Sequence, residues 1–299
     1  RLKDFLEQVF ERDKIKYNIL LDYAKKFGIS DDMQPYLSAT LGASETTLMK
    51  LTTAYGMIVN GGKKITPTFI DRVQDRFGKT IEKSDMRPCT GCGPLIKWEN
   101  QKTPDLPDTR EQIADPRTTY QMVSIMEGVV QRGTARKLVS LDRPLAGKTG
   151  TTNDSKDAWF IGFTPDMVVG VYTGFDDPKS LGRKETGSSV ALPVFKEFIE
   201  QAFENVPPTP FRVPSGVRMV QVNAKSGQRT YAGDPDAIWE PFLAGTEPNT
   251  LPPGYRSYAD QDGQQGTQFE VLDEPLPAGE LLEPRFDPDS SLQGTGGLY

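Results

Sequence analysis

No histidine occurs in this chain of 299 residues. A Ser–His–Asp or Cys–His arrangement is therefore excluded, as is a His-ligated zinc site, and any general base has to be a lysine, a carboxylate or a tyrosine. No run approaches the roughly 18 consecutive apolar residues of a membrane-spanning helix. The sequence opens on Arg1 and not on Met, and any export signal or membrane anchor is expected upstream. Long basic runs are missing too: 35 basic residues face 41 acidic ones, a net charge of −6. A nucleic acid or an anionic membrane surface, which needs clustered Lys and Arg, is excluded as a partner. The apolar fraction is only 36%, beside 28 glycines and 24 prolines. That mixture predicts a folded body with a poorly ordered annex.

What is present is organised by period. A helix is expected from Lys14 to Phe27, where Ile19, Leu20, Tyr23, Ala24 and Phe27 recur at three- and four-residue spacing and Gly28 can stop the turn. A second is expected over Glu45–Val59, with Ser44 as N-cap and Asn60-Gly61-Gly62 as its end. A third begins at Asp115-Pro116 and presents Met122, Ile125, Met126 and Val129 on one face. A fourth covers Ala191–Phe203, with Val194, Phe195, Phe198, Ile199 and Ala202 inward. Between the last two, Asp157–Phe163 and Met167–Phe175 flank the turn Thr164-Pro165-Asp166 and read as an antiparallel hairpin, with Leu145–Thr152 as a third strand beside it. Helices before and after an antiparallel sheet predict an α+β fold, a sheet covered by helices. Residues 63–110 read as an excursion: a short hairpin from Ile65–Ile70 and the Phe77-Gly78-Lys79 turn, then a polar loop holding Cys89 and Cys92. One domain is expected over 1–205. A Pro/Gly-rich C-terminal extension is expected over 206–299, loosely folded over 206–250 and largely irregular or disordered toward its end.

The segment Ala146-Gly147-Lys148-Thr149-Gly150-Thr151-Thr152 carries the chemistry. Gly147-Lys148-Thr149 matches the end of a phosphate-binding loop, but that loop needs glycine where Asp142 stands and a helix beginning at the lysine. The alternative is the Lys-Thr-Gly strand of active-site serine acyl transferases. A series of segments supports it: Gly42–Thr47, Leu51–Tyr55, Asn60–Lys63, Met126–Val130, Gly133–Ala135, Gly147–Thr152 and Asp157–Phe163. In this order they resemble the bifunctional class A penicillin-binding proteins, the 1A type, over about Asp22 to Phe203.

The resemblance implies a serine β-lactamase/D,D-transpeptidase-like fold, incomplete here, and a substrate peptide ending in D-Ala-D-Ala. Lys148 would supply positive potential, and the hydroxyls of Thr149 and Thr151 would donate to the terminal carboxylate. Gly150 would let the acyl group lie close along the strand, and Thr152 would complete the substrate-binding set. The backbone N–H of Thr151 would form half of the oxyanion hole. No cofactor and no metal are implied. The sequence departs from the family in two places: no serine has lysine three residues later, and no Ser-x-Asn occurs. The nucleophile, its base and the middle motif are absent, so the expectation is a fragment of a cell-wall cross-linking enzyme, inactive alone. The whole enzyme would act on peptidoglycan stem peptides and bind β-lactams at the periplasmic face of the bacterial inner membrane, held by an anchor outside this chain. A non-catalytic peptidoglycan- or β-lactam-binding remnant, or a structural module, is the alternative.

Lesser signals have plain readings. Cys89-Thr90-Gly91-Cys92 reads as a zinc half-site, a redox pair or a local disulfide. A zinc half-site lacks further Cys or His ligands and a redox pair should open a helix, so a disulfide in an oxidising periplasm fits best. Trp159, Phe160, Phe163, Tyr172 and Phe175 fit a core at strand spacing better than a carbohydrate platform. Asp31-Asp32 and Asp176-Asp177 read as solvated turns.

Overall fold

The computed structural model describes residues 18–33, 39, 42, 44–89, 106–231 and 233–248. The chain divides into two compact units, 1–213 and 214–299.

In the first unit, helix α1 covers residues 18–26. It is followed by the expected glycine stop, Gly28 at φ +65°. Its expected beginning at Lys14 lies outside the described residues. Helix α2 spans Leu48–Val59, and its N-cap is Thr47, whose side chain accepts from the Lys50 amide, and not the expected Ser44. Thr47 lies three residues beyond Ser44, and it is the residue whose oxygen meets a free amide of the first turn that caps the helix. Asn60 caps the far end, and Gly61 and Gly62 follow in the left-handed region. Helix α3 spans Pro116–Gln131 and begins as expected, with the Asp115 carboxylate accepting from the Arg117 amide and proline in the first turn.

The core of this unit is an antiparallel sheet of order β3-β4-β5, made of Ala146–Thr151, Ala158–Phe163 and Val168–Thr173. Register pairs Lys148 with Ile161, Gly150 with Trp159, and Trp159 with Tyr172. Thr164 closes the β4–β5 turn by accepting from the Asp166 and Met167 amides. One sheet face carries Ala146, Phe163 and Val168, and packs with Tyr55 and Ile58 of α2 and Val123 and Met126 of α3. The opposite face carries Phe160, Val169 and Val171. It packs with Val130, with Leu138 from a 3-10 turn (Arg136–Leu141), and with Leu192, Phe195 and Ile199 of helix α4 (Leu192–Ala202). Helix α3 contributes to both clusters and packs against β3. A helix-covered antiparallel sheet is the expected α+β architecture.

Two expected helix faces are turned. On α3, Met122 and Ile125 are exposed, and the buried stripe is Thr119, Val123, Met126 and Val130. On α4, Val194, Phe198 and Ala202 face outward, while Leu192, Phe195 and Ile199 are fully buried. Both helices carry apolar residues on more than one stripe, and periodicity alone does not say which stripe meets the sheet.

The excursion is zipped at its root. Lys64 and Ile113 donate to the carbonyls of Glu111 and Gly62. Lys63 pairs with Asp108 at 2.5 Å and Lys64 with Glu111 at 3.2 Å. Its hairpin pairs β1 (Arg72–Gln74) with β2 (Thr80–Lys83), so the first strand starts beyond the expected Ile65–Ile70. Cys89 is disulfide-bonded, and the other cysteine of the chain, Cys92, lies outside the described residues.

The composition shift at 206 precedes the division at 213. Phe211 still belongs to the first unit, its ring edge-on to Phe163 with centroids 5.7 Å apart. In the second unit β6 (Val217–Asn223) and β7 (Ala237–Leu243) pair antiparallel along their whole lengths. Alternation of Val220 and Val222 with polar neighbours buries one side of β6. Residues from 249 onward lie outside the described residues.

Candidate functional site

Strand β3 brings Lys148, Thr149, Gly150 and Thr151 into one extended run, with Thr152 just beyond it. Gly147-Lys148-Thr149 therefore lies inside a strand, and no helix N-terminus stands behind it as a phosphate loop requires. Among the described residues β3 is an edge strand, paired only with β4. The Thr152 amide donates to the Asp157 carbonyl at 3.1 Å, directed toward the β4 side. Antiparallel pairs alternate in the direction of their backbone groups, so Thr151 and Thr149 turn their amides and carbonyls to the unpaired edge. The Lys148 ammonium reaches that same edge and donates to the Thr149 carbonyl at 2.8 Å. The Thr149 and Thr151 amides thus face the unpaired edge, where an added extended chain could pair, with a cation beside them.

Alternation also sorts the side chains. Lys148 and Gly150 share one face with Ile161, Trp159 and Tyr172, and Thr149 and Thr151 share the other with Phe160. Gly150 is required where it is: a β-carbon there would stand 3.2 Å from the Trp159 β-carbon. Gly147 is tighter, since a β-carbon would lie 2.6 Å from the Ile161 carbonyl oxygen and 2.8 Å from the Phe160 ring.

Each threonine of the run has a different partner. Thr149 shares a hydrogen bond of 2.9 Å with the Thr134 hydroxyl, in the turn that follows α3. Thr151 accepts from the Gly187 amide at 3.0 Å. Gly187 opens a π-helical turn, Gly187–Ala191, held by a capping box between Thr186 and Ser189. Thr152 donates to the Asp157 carboxylate at 3.2 Å and accepts from the Asp157 amide at 2.8 Å. Its hydroxyl is engaged in closing the β3–β4 turn. Asp157 also accepts from the Tyr172 hydroxyl at 2.8 Å, a bond that raises the Tyr172 pKa. Tyr172 packs its ring against Trp159 at a tilt of 55°, with centroids 4.6 Å apart. The five aromatics expected in the core therefore divide: Phe160 and Phe163 are fully buried, whereas Trp159 is half-buried and Tyr172 and Phe175 are exposed. Chain alternation sends Trp159 away from Phe160, onto a stretch of sheet that α2 and α3 leave open.

A second titratable group stands out on α3. Burial pushes the Glu127 carboxyl up to about 7. Thr134, Gly187 and Glu127 had no assigned role in the sequence. For Thr134 and Gly187 no local spacing could have found one, because each meets β3 only through the fold.

A family profile described as the penicillin binding protein transpeptidase domain matches residues 14–200. Penicillin-binding protein 1A of Rickettsia bellii is 46% identical over 215 residues, which are 72% of this chain and 27% of that protein. The Pseudomonas aeruginosa protein of the same name is 32% identical over 274 residues, covering 78% of this chain and 32% of its own length. The crystal structure of penicillin-binding protein 1A from Haemophilus influenzae superposes with a TM-score of 0.64 at 26% identity, covering 78% of this chain and 37% of that one. The chain thus spans about a quarter to a third of the length of the curated relatives it matches. A helix-covered antiparallel sheet, a Lys-Thr-Gly run on its edge strand and these matches lead to one conclusion: the chain belongs to the transpeptidase-domain family of penicillin-binding proteins, of the 1A type.

Proposed function

We propose that this chain is the part of a peptidoglycan D,D-transpeptidase that presents the substrate-binding strand, and that it forms no acyl-enzyme by itself. The observation that supports this reading is the free edge of β3, where the amides of Thr149 and Thr151 point outward beside the Lys148 ammonium. A stem peptide ending in D-Ala-D-Ala would add to this edge as a further strand, its carboxylate near Lys148 and the threonine hydroxyls. The Thr151 amide would face the carbonyl oxygen under attack, and loss of such a donor typically costs about 2.7–4 kcal/mol of transition-state stabilisation.

The chain has no Ser-x-x-Lys and no Ser-x-Asn. In this reading the serine nucleophile and its base belong to a part of the enzyme outside these residues. The whole enzyme would cross-link stem peptides and be acylated by β-lactams at that serine. It would work at the periplasmic face of the bacterial inner membrane through an anchor outside this chain. Among the described residues no helix is long and apolar enough to cross a membrane.

Intact mass of the purified chain after incubation with benzylpenicillin tests the reading. An unchanged mass is expected. A stable one-to-one adduct would show that one of these serines acts without the expected lysine, and would overturn the account of the missing nucleophile.

A further inference from the structure

Two hydroxyls of strand β3 are held by residues to which the reading above assigns nothing: Thr134 after α3 and Gly187 before α4. A threonine hydroxyl has one hydrogen to donate and two lone pairs to accept with. The Gly187 amide can only donate, so its 3.0 Å contact fixes the Thr151 oxygen as acceptor. The single Thr151 hydrogen then remains available for a ligand. Thr134 and Thr149 share one hydrogen across 2.9 Å, and either oxygen can be its source. An anion at Thr149 removes that freedom. Thr149 then donates to the anion, and Thr134 must donate to Thr149 for the pair to stay bonded. The two bonds point the same way, and each polarises the next.

Both flanking residues are held by backbone. On either side of Thr134, the amides of Gly133 and Ala135 donate to the Val129 carbonyl at 3.1 and 3.0 Å. Ala135 is fully buried, while Thr134 itself is exposed. Gly187 lies so close to the sheet that a β-carbon there would stand 2.7 Å from the Gly150 carbonyl oxygen, and closer still to that of Trp159. Any larger residue would push the π-turn off β3 and remove the amide from Thr151.

We propose that Thr134 and Gly187 are positioning residues that aim the Thr149 and Thr151 hydroxyls at the carboxylate of an extended peptide bound along the free edge of β3. This inference rests on the reading of β3 as the substrate-binding strand. Thr149 and Thr151 project from the same face, two residues apart, so one carboxylate can take a hydrogen from each. Neither positioning residue touches the ligand.

The test is a titration of the full chain with a D-alanyl-D-alanine-terminated peptide, read from the amide NMR shifts of Gly150 and Thr151. Thr134→Val is expected to weaken binding about three- to tenfold, and Thr134→Ser, which keeps the hydroxyl, to stay within about twofold. In a Thr149→Val background, Thr134→Val should have no further effect, because Thr134 acts through Thr149. Gly187→Ala should weaken binding and move the Thr151 resonances before any peptide is added. If Thr134→Val titrates like the parent, or its effect persists in the Thr149→Val background, the positioning role is overturned while the reading of β3 stands. If the parent chain shows no shift at all, the reading of β3 fails and the inference falls with it.

Discussion

Replacing Phe195 by alanine should be among the most damaging single changes in the first unit, and the same change at Phe198, three residues later, should be mild. Phe195 is 0% exposed. Its ring meets Phe160 edge-on, with centroids 4.8 Å apart and an interplanar angle of 71°. It also lies against Gly162 of β4, where a β-carbon would stand 2.6 Å from the ring. Leu138, Leu192 and Ile199 belong to the same cluster. Deleting a ring from such a site leaves a cavity that rigid neighbours cannot fill, and Phe→Ala changes of this kind cost about 3–5 kcal/mol. Loss of the edge-to-face pair with Phe160 places the expected value near the middle of that range, about 4 kcal/mol. Phe198 is 47% exposed, so about half of the transfer term is lost and no closed cavity forms. Alanine also favours the helix, and the expected net cost is about 0.5–1 kcal/mol. Urea unfolding followed by far-UV circular dichroism, with the slope unchanged, reads the difference directly. Equal losses would refute the reasoning, because equal losses are what a single inward face carrying both phenylalanines requires. The experiment also bears on β3: Phe160 is the register partner of Thr149, so this cluster packs the sheet face from which the Thr149 side chain projects.

Two further outcomes follow from chemistry away from β3. Burial raises the Glu127 carboxyl from 4.5 to about 7. Between these values the unfolded chain ionises while the folded one stays protonated, so stability is greatest below the lower value and falls as pH rises through the upper one. Allowing for its partial exposure, the loss is on the order of 1–2 kcal/mol, and thermal melts of the parent should drop by about 4 °C between acid and mildly alkaline pH. Glu127→Gln should remove that slope, and an unchanged slope would put its origin elsewhere. For the cysteines we propose a Cys89–Cys92 pair, since Cys89 is disulfide-bonded and the chain has 2 cysteines. Alkylation followed by mass measurement should label neither residue before reduction and both after it. Label on either before reduction would contradict the pairing.

Local rules wrote several elements plainly. Asp115-Pro116 announces the start of α3, because a carboxylate cap and a proline without an amide both suit a first turn. The β4–β5 hairpin was legible from two β-rich runs around Thr164-Pro165-Asp166, and the Lys148–Thr151 strand from the order of the segments around it. These signals act over a few residues, and burial of the sheet reinforces them. In the extension the signal was weaker: composition gives only a loosely folded segment, and the pairing of two seven-residue strands over 217–243 rests on alternation of their side chains.

Tertiary structure decided the rest. Phe195 and Phe198 are equivalent to a helical period, and only the position of the sheet makes one a core ring and the other a surface one. Ser44 and Thr47 are both good caps, and the meeting of one oxygen with one free amide settles which is used. Trp159 meets Tyr172 on a more exposed part of the sheet than Phe160 and Phe163, which the cores of the two faces enclose. Thr134 and Gly187 lie 15 and 36 residues from the threonines they hold. Residue type and order singled out the Lys-Thr-Gly strand. Which hydroxyl is braced, and by what, depends on a side chain and a backbone amide that the fold brings to β3, and no period or spacing along the chain encodes a contact of that kind.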